Sequence, residues 1–266
     1  MGARVAAVLE RFCAHDPGRS AGARVLSGAA TGVEISVRGW VPRPGASVLK
    51  LPLAIAAHRR GDRWLDDRVA REALPESVYP NVLAAFDPGR ALSRRELCAL
   101  SLITSDNAAA SHLLTLVGAD GVNEELRALG CRATRIVVGF EDRLLGPPGR
   151  ANVISADDAL RLLARVYEDP ALAGVEHALR NTILNQRIPL LLPDDVAVAH
   201  KTGSLDGVVN DVGIVYGQAG DVALAFLCDG QGDAPTTEVA IGRCAADIRQ
   251  ALGQQAHVAA AAGGDS

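Results

Sequence analysis

Apolar and polar positions along the chain fall into an order of elements before any motif is considered. Arg4 to Phe12 predicts a first helix, which Asp16-Pro17-Gly18 breaks. Two strand-like stretches follow, Arg24 to Ser27 and Val33 to Val37, and the Ala29-Ala30-Thr31-Gly32 segment between them reads as a hairpin connection. After a loop with Pro42, Pro44 and Gly45, the pattern turns helical from Ser47 to Arg60, with Gly61 as its stop.

The middle of the chain is mostly helical. Ser93-Arg94-Arg95-Glu96 is a capping box opening a helix that reaches Ile103. Helices are expected over Ala108 to Val117, stopped by Gly118, and over Val122 to Leu129, stopped by Gly130. A loop from Val138 to Ile154, rich in Gly and Pro, precedes helices at Ala156 to Tyr167 and Ala171 to Asn185. Strands return at Val196 to Thr202, Val212 to Tyr216 and Val222 to Leu227, before a last helix over about Thr237 to Leu252 and a frayed Ala- and Gly-rich tail after Gln255. Strands at both ends with helices between them predict an α/β (α+β) fold. One antiparallel sheet is assembled from both termini, about 1–46 and 190–255, with an all-α lobe, about 47–189, inserted into a single domain.

Charge and composition narrow the function. A net charge of -4 leaves no cationic excess for phosphates, so nucleic acid is not an expected partner. The longest apolar runs fall short of a membrane span. Val5 to Leu9 is too short a run for a secretory signal, since Glu10 and Arg11 end it; a cytoplasmic location is expected, or a secreted one if a leader has been removed. Five scattered cysteines (Cys13, Cys98, Cys131, Cys228, Cys244) read as small core residues rather than a disulfide framework. With no C-x-x-C and no His pair at i, i+4, neither a metal nor a cofactor is expected.

The cations are unevenly divided: of 27, only Lys50 and Lys201 are lysines. Each falls in a short motif, Ser47-Val48-Leu49-Lys50 and Lys201-Thr202-Gly203, and a third motif, Ser105-Asp106-Asn107, lies between them. On a helix, i and i+3 share a face, so the Lys50 amine lies beside the Ser47 hydroxyl. A serine becomes a nucleophile when a base takes its proton, and a lysine serves as that base when burial or a second cation depresses its pKa. Lys201 supplies such a charge, and Ser105 is placed to relay a proton to a leaving nitrogen. A compact amine can lose its proton where a guanidinium cannot, which gives a chain otherwise built on arginine a reason to keep these two lysines. Backbone amides at the start of the Ser47 helix and at Ser204 are candidates for an oxyanion hole.

The three motifs together resemble the S-x-x-K, S-D-N and K-T-G set of class A β-lactamases and penicillin-binding proteins. The resemblance to the class A β-lactamase family and its related serine hydrolases runs from about residue 20 to 252 and implies a β-lactamase/transpeptidase-like fold. It implies that Ser47 is the acylated nucleophile, Lys50 its base or relay, and Ser105 the donor to the leaving group. Asn107 holds the substrate amide carbonyl, and Lys201 with Thr202 binds a carboxylate, Gly203 and Ser204 completing that edge. The family's deacylating glutamate falls on Glu141, with Asp142 as substitute, and Leu144 matches the leucine three positions on.

Three departures accompany these matches. Leu145 stands where the family commonly has Asn, His200 precedes K-T-G, and no Arg lies on Val212 to Tyr216, where some members keep a guanidinium. The implied activity is hydrolysis of a β-lactam or a related amide or ester bearing a carboxylate, by a monomer. Two alternatives stay open: an amidase, esterase or acyltransferase using the same Ser-Lys machinery, and a sensor that is acylated and stays so. His58, His112 and His177 carry no assigned role. Gly18-Arg19-Ser20-Ala21-Gly22 matches G-x-S-x-G but lacks the strand before and helix after that such an elbow needs.

Overall fold

The computed structural model describes residues 2–79, 81–140 and 151–262, with side chains described to residue 253. In chain order the elements are α1 (Gly2–Ala14), β1 (Arg19–Val25), β2 (Glu34–Val37), β3 (Arg43–Pro44), a 3-10 turn (Ala46–Leu49), α2 (Lys50–His58), α3 (Asp62–Leu65), β4 (Arg68–Ala70) and β5 (Ala91–Ser93). They continue with α4 (Arg94–Ile103), α5 (Asn107–Val117), α6 (Ala119–Ala128), β6 (Val153–Ile154), α7 (Ala156–Glu168), α8 (Ala173–Arg180), β7 (Val198–Leu205), β8 (Val208–Val215), β9 (Val222–Cys228) and α9 (Ala234–Ala262).

Strands from both ends of the chain form one antiparallel sheet in the order β2-β1-β9-β8-β7. β8 and β9 are buried along their whole length, which explains why Val222 to Leu227 is a continuous apolar run rather than an alternating one. On one face, Leu9 and Phe12 of α1 and Ile241, Cys244 and Ile248 of α9 pack on Leu224 and Phe226 of β9. The Phe12 and Phe226 rings meet edge-on, 5.2 Å between centroids. On the other face, Ala223, Ala225 and Leu227 join the core of the helical lobe through α7. Gly22 allows that approach: a β-carbon there would stand 2.8 Å from Leu160 Cδ1.

β1 begins at Arg19, earlier than its apolar pattern predicts, because Ser20, Ala21 and Gly22 are small residues buried against the neighbouring strands. The G-x-S-x-G match therefore lies at and within a strand, with Ser20 Oγ accepting from Arg43 Nε at 3.1 Å. The predicted helix at Ser47 splits into the 3-10 turn and α2; Pro52 sits in the first turn of α2, where its missing amide costs no intrahelical bond. The capping box forms as expected, Ser93 N donating to Glu96 Oε2 at 2.6 Å and Glu96 N to Ser93 Oγ at 3.1 Å. The helix expected to reach Asn185 ends at Arg180, because Thr182 Oγ1 and Ile183 N both turn to the Ile103 carbonyl at the end of α4. At the other end, α9 runs on past Leu252 to Ala262. All five cysteines are buried and unpaired; burial raises the Cys98, Cys131 and Cys228 thiols to about 12, as suits packing residues. Among the described residues, no helix is long and apolar enough to cross a membrane.

Candidate active site

The site forms where the 3-10 turn, the α4–α5 connection and β7 converge. Ser47 is the second residue of the turn and Lys50 the first of α2. In 3-10 geometry side chains at i and i+3 eclipse, so the serine and lysine are aligned by the local backbone itself. Ala46, immediately before the serine, takes a left-handed φ of 46°. For a residue with a β-carbon this costs roughly 1–2 kcal/mol, held by the packing around it.

Lys50 is fully buried and reaches the second motif. Its Nζ donates to the Ser105 carbonyl at 2.6 Å, to Ser105 Oγ at 3.2 Å, and to Asn107 Oδ1. Ser105 is the second left-handed residue here, at φ 58°, in the turn between α4 and α5. Its partner in the motif, Asp106, is the N-cap of α5, accepting from Ala109 N at 2.9 Å. The helix-cap reading and the site reading of Ser105-Asp106-Asn107 therefore describe the same turn. Asn107 brackets two elements, accepting from Lys50 through Oδ1 while its Nδ2 donates to the Phe140 carbonyl at 3.4 Å. The Phe140 ring also stands 5.5 Å from Lys50 Nζ, within cation–π range.

Phe140 precedes Glu141, which lies outside the described residues together with Asp142, Leu144 and Leu145. The described residues on either side of 141–150 are tied to each other and to the Ser47 element. Asn152 Oδ1 accepts from Val137 N and Val138 N, its Nδ2 donates to the Val138 carbonyl, and its own carbonyl accepts from Gly45 N at 3.0 Å. The β3–β6 pair, Arg43 with Ile154 and Pro44 with Val153, adds a second tie.

The third motif lies on β7, packed against the 3-10 turn. Gly203 makes this contact possible, since a β-carbon on it would stand 2.9 Å from the Gly45 carbonyl oxygen and 3.0 Å from Val48 N. Lys201 is fully buried, with Nζ donating to the Thr202 carbonyl at 2.9 Å. Burial pushes its pKa down to about 7, the Asp211 carboxylate opposing this and the Arg187 guanidinium adding to it. Thr202 is buried beside it and Ser204 is exposed at the strand's outer end.

Arg187 is the residue that sequence patterns did not single out. It is buried between β7, β8 and α9. Its Nη1 donates to the Gly203 carbonyl at 2.9 Å and the Asn210 carbonyl at 2.5 Å, and its Nη2 to Ser204 Oγ at 2.6 Å and Glu238 Oε1 at 3.1 Å. The guanidinium absent from Val212 to Tyr216 thus arrives at the K-T-G edge from another segment. Its partners lie 16 to 51 residues away in sequence, so no local spacing marks it. Chemically, the assembly combines a hydroxyl aligned with a buried amine, a second hydroxyl bonded to that amine, and two cations at one edge suited to a carboxylate.

An antiparallel sheet closed by both termini, a helical lobe inserted before β7, and these three motifs at their junction define a β-lactamase-like fold. A family model described as the Beta-lactamase enzyme family matches residues 4–252, and the chain belongs to that family. A β-lactamase of Streptomyces albus G is 30% identical over 199 residues, covering 71% of this chain and 62% of that protein. The β-lactamase FAR-1 of Nocardia farcinica is 28% identical over 171 residues, covering 60% and 55%. The chain thus spans less than two thirds of the length of these curated relatives. The crystal structure of a β-lactamase from Sphaerobacter thermophilus superposes with a TM-score of 0.81 at 28% identity, covering 96% of this chain and 98% of that one.

Proposed function

We propose that the protein hydrolyses β-lactams through a covalent acyl-enzyme on Ser47. The observation that carries this reading is the bonding of Lys50: a fully buried amine, eclipsed with Ser47, that reaches the backbone and side chain of Ser105 and the amide of Asn107. In its neutral form the amine keeps two N–H donors, one for the Ser105 carbonyl and one for Asn107 Oδ1, while its lone pair takes the Ser47 proton, and the third N–H so formed is shared with Ser105 Oγ. The Ser47 oxygen then bonds to the lactam carbonyl carbon. As the ring C–N bond breaks, the proton passes from Lys50 through Ser105 Oγ to the departing nitrogen.

The developing oxyanion is held by the Ser47 and Ser204 amides, each such donor lowering the barrier by roughly 3–4 kcal/mol. Lys201, Thr202 and Arg187 orient the substrate carboxylate, and Asn107 its amide side chain. Glu141, next to Phe140, takes a proton from the water that attacks the acyl carbonyl; as the bond from that carbonyl to Ser47 Oγ breaks, the proton passes back to Ser47 Oγ and the ring-opened acid departs. Neither a metal nor a cofactor enters any step.

Penicillin and a chromogenic cephalosporin, followed by turnover and intact mass with Ser47→Ala as control, test the reading. Steady turnover with a transient adduct is expected. A permanent adduct would indicate a sensor, and no adduct at all would reject β-lactams in favour of an ester or amide panel.

A further inference from the structure

His200 and Asp211 are both fully buried next to Lys201, and no step of the proposed reaction uses them. His200 Nδ1 stands 3.0 Å from each Asp211 oxygen, and Nε2 lies 3.0 Å from Asn185 Oδ1, within hydrogen-bond distance of that side-chain amide. Asp211 Oδ2 also accepts from Ile188 N at 3.0 Å. The pair therefore grips one segment at residues 185 and 188, on either side of Arg187. Space for the imidazole is reserved by Gly213, its register partner on β8: a β-carbon there would come within 2.4 Å of His200 Cβ.

We propose that His200 and Asp211 are positioning residues for Arg187. By clamping the Asn185–Ile188 segment to β7 and β8, they fix the guanidinium against Gly203 and Ser204 and so set how tightly the K-T-G edge holds a substrate carboxylate. This rests on the β-lactam reading for the identity of the substrate, though not for the clamp itself. Glu238 anchors the guanidinium from the α9 side, and the Gly203 and Asn210 carbonyls hold Nη1. The chain leading up to the arginine, by contrast, is held by the His200–Asn185 contact. Arg187 also helps to pull the Lys201 pKa down, which places the two cations within electrostatic reach of each other.

Asn185 is exposed, so Asn185→Ala opens one jaw of the clamp with little risk to folding; His200→Ala opens the same jaw and also removes the imidazole that holds the Asp211 carboxylate against Ile188 N. Each is assayed against a penicillin and its methyl ester. For the free acid, Asn185→Ala is expected to raise KM about fivefold and His200→Ala about thirtyfold, with kcat within twofold, and for the ester neither KM moves. Equal shifts for acid and ester, or a lower melting temperature with KM unchanged, would overturn the positioning role. A second readout needs no substrate: phenylglyoxal labelling followed by peptide mass spectrometry. Arg187 should label slowly in the parent and several-fold faster in both variants, while Arg19, buried elsewhere, stays unchanged. If the parent neither turns over nor is acylated by either compound, the β-lactam reading fails and the labelling alone decides the clamp, unchanged Arg187 reactivity refuting it.

Discussion

Lys50 Nζ lies 2.6 Å from the carbonyl oxygen of Ser105, 55 residues further along the chain, so that one hydrogen bond joins two of the three sequence motifs. The bond requires a compact amine at a buried position and a left-handed turn that points the carbonyl inward. A guanidinium keeps the charge but is planar, bulkier and unable to surrender its proton. Lys50→Arg is therefore expected to reduce the rate of acylation by penicillin at least about a thousandfold. Intact-mass kinetics on a variant with a parent-like circular dichroism spectrum checks this; a rate within tenfold of the parent would remove Lys50 from the base role.

Gly203 is the corresponding requirement on the sheet side. Because a β-carbon there would collide with the backbone at Gly45 and Val48, Gly203→Ala must push β7 away from the turn that carries Ser47. The amides of Ser47 and Ser204 would separate by a few tenths of an ångström, enough to cost about a hundredfold in kcat/KM while lowering stability by about 1–3 kcal/mol. Steady-state kinetics and thermal unfolding together test this, and an unchanged kcat/KM would mean that the strand and turn do not share an oxyanion site.

The pKa of Lys201, about 7, has two consequences of definite sign. Folding lowers it from 10.5, so stability is highest above that value, declines as pH falls from about 10.5 towards 7, and is flat with respect to this group below 7. Carboxylate binding behaves oppositely, because the ammonium is the binding form. For a penicillin, KM should rise about tenfold per pH unit above roughly 7 while kcat holds, since the bound carboxylate restores the proton. Lys201→Arg should flatten that rise. A KM that is constant to pH 9 in the parent would show that Lys201 keeps its charge in the free protein.

The contrast between Lys50 and Arg187 shows what was readable in the sequence. Ser47 with Lys50, and Ser105 with Asn107, are legible because each motif is local, an i, i+3 pair in one case and a helix cap in the other; the 55-residue contact that joins the two motifs is not. The α/β arrangement with an inserted helical lobe was readable for the same reason, from periodicity and capping residues. Arg187 and Asp211 depend on contacts between segments 11 to 51 residues apart, and His200, legible in the sequence only as the residue before K-T-G, meets its partners through the same distant contacts. The helix expected to run to Asn185 stops at Arg180 through bonds to Ile103, a tertiary contact that overrides local propensity.

Ala46 offers a test in which stability and activity move in opposite directions. Glycine adopts its left-handed φ of 46° without the clash of a β-carbon. Ala46→Gly should therefore stabilise the fold by about 1 kcal/mol, roughly 2–4 °C in Tm, while loosening the turn that aligns Ser47 and slowing acylation several-fold. Differential scanning calorimetry beside acylation kinetics gives the answer; a loss of stability would show that the turn is not strained at this residue.

In the proposed reaction deacylation falls to Glu141, which follows Phe140 in the chain, and two substitutions separate chemistry from placement. Glu141→Gln removes the base while keeping the size of the side chain, so acylation should proceed at near the parent rate and the adduct should persist, visible as a stable mass increase equal to the penicillin. Asn152→Ala keeps the Glu141 side chain but removes the bonds to Val137 and Val138, in the segment that leads to Phe140. Deacylation should then slow by up to about a hundredfold rather than stop, because three bonds between neutral groups, worth about 1 kcal/mol each, are lost while the base itself remains. If Glu141→Gln deacylates as fast as the parent while Asn152→Ala does not, the base is another group nearby in the sequence, and Asp142→Asn becomes the variant that should trap the acyl-enzyme.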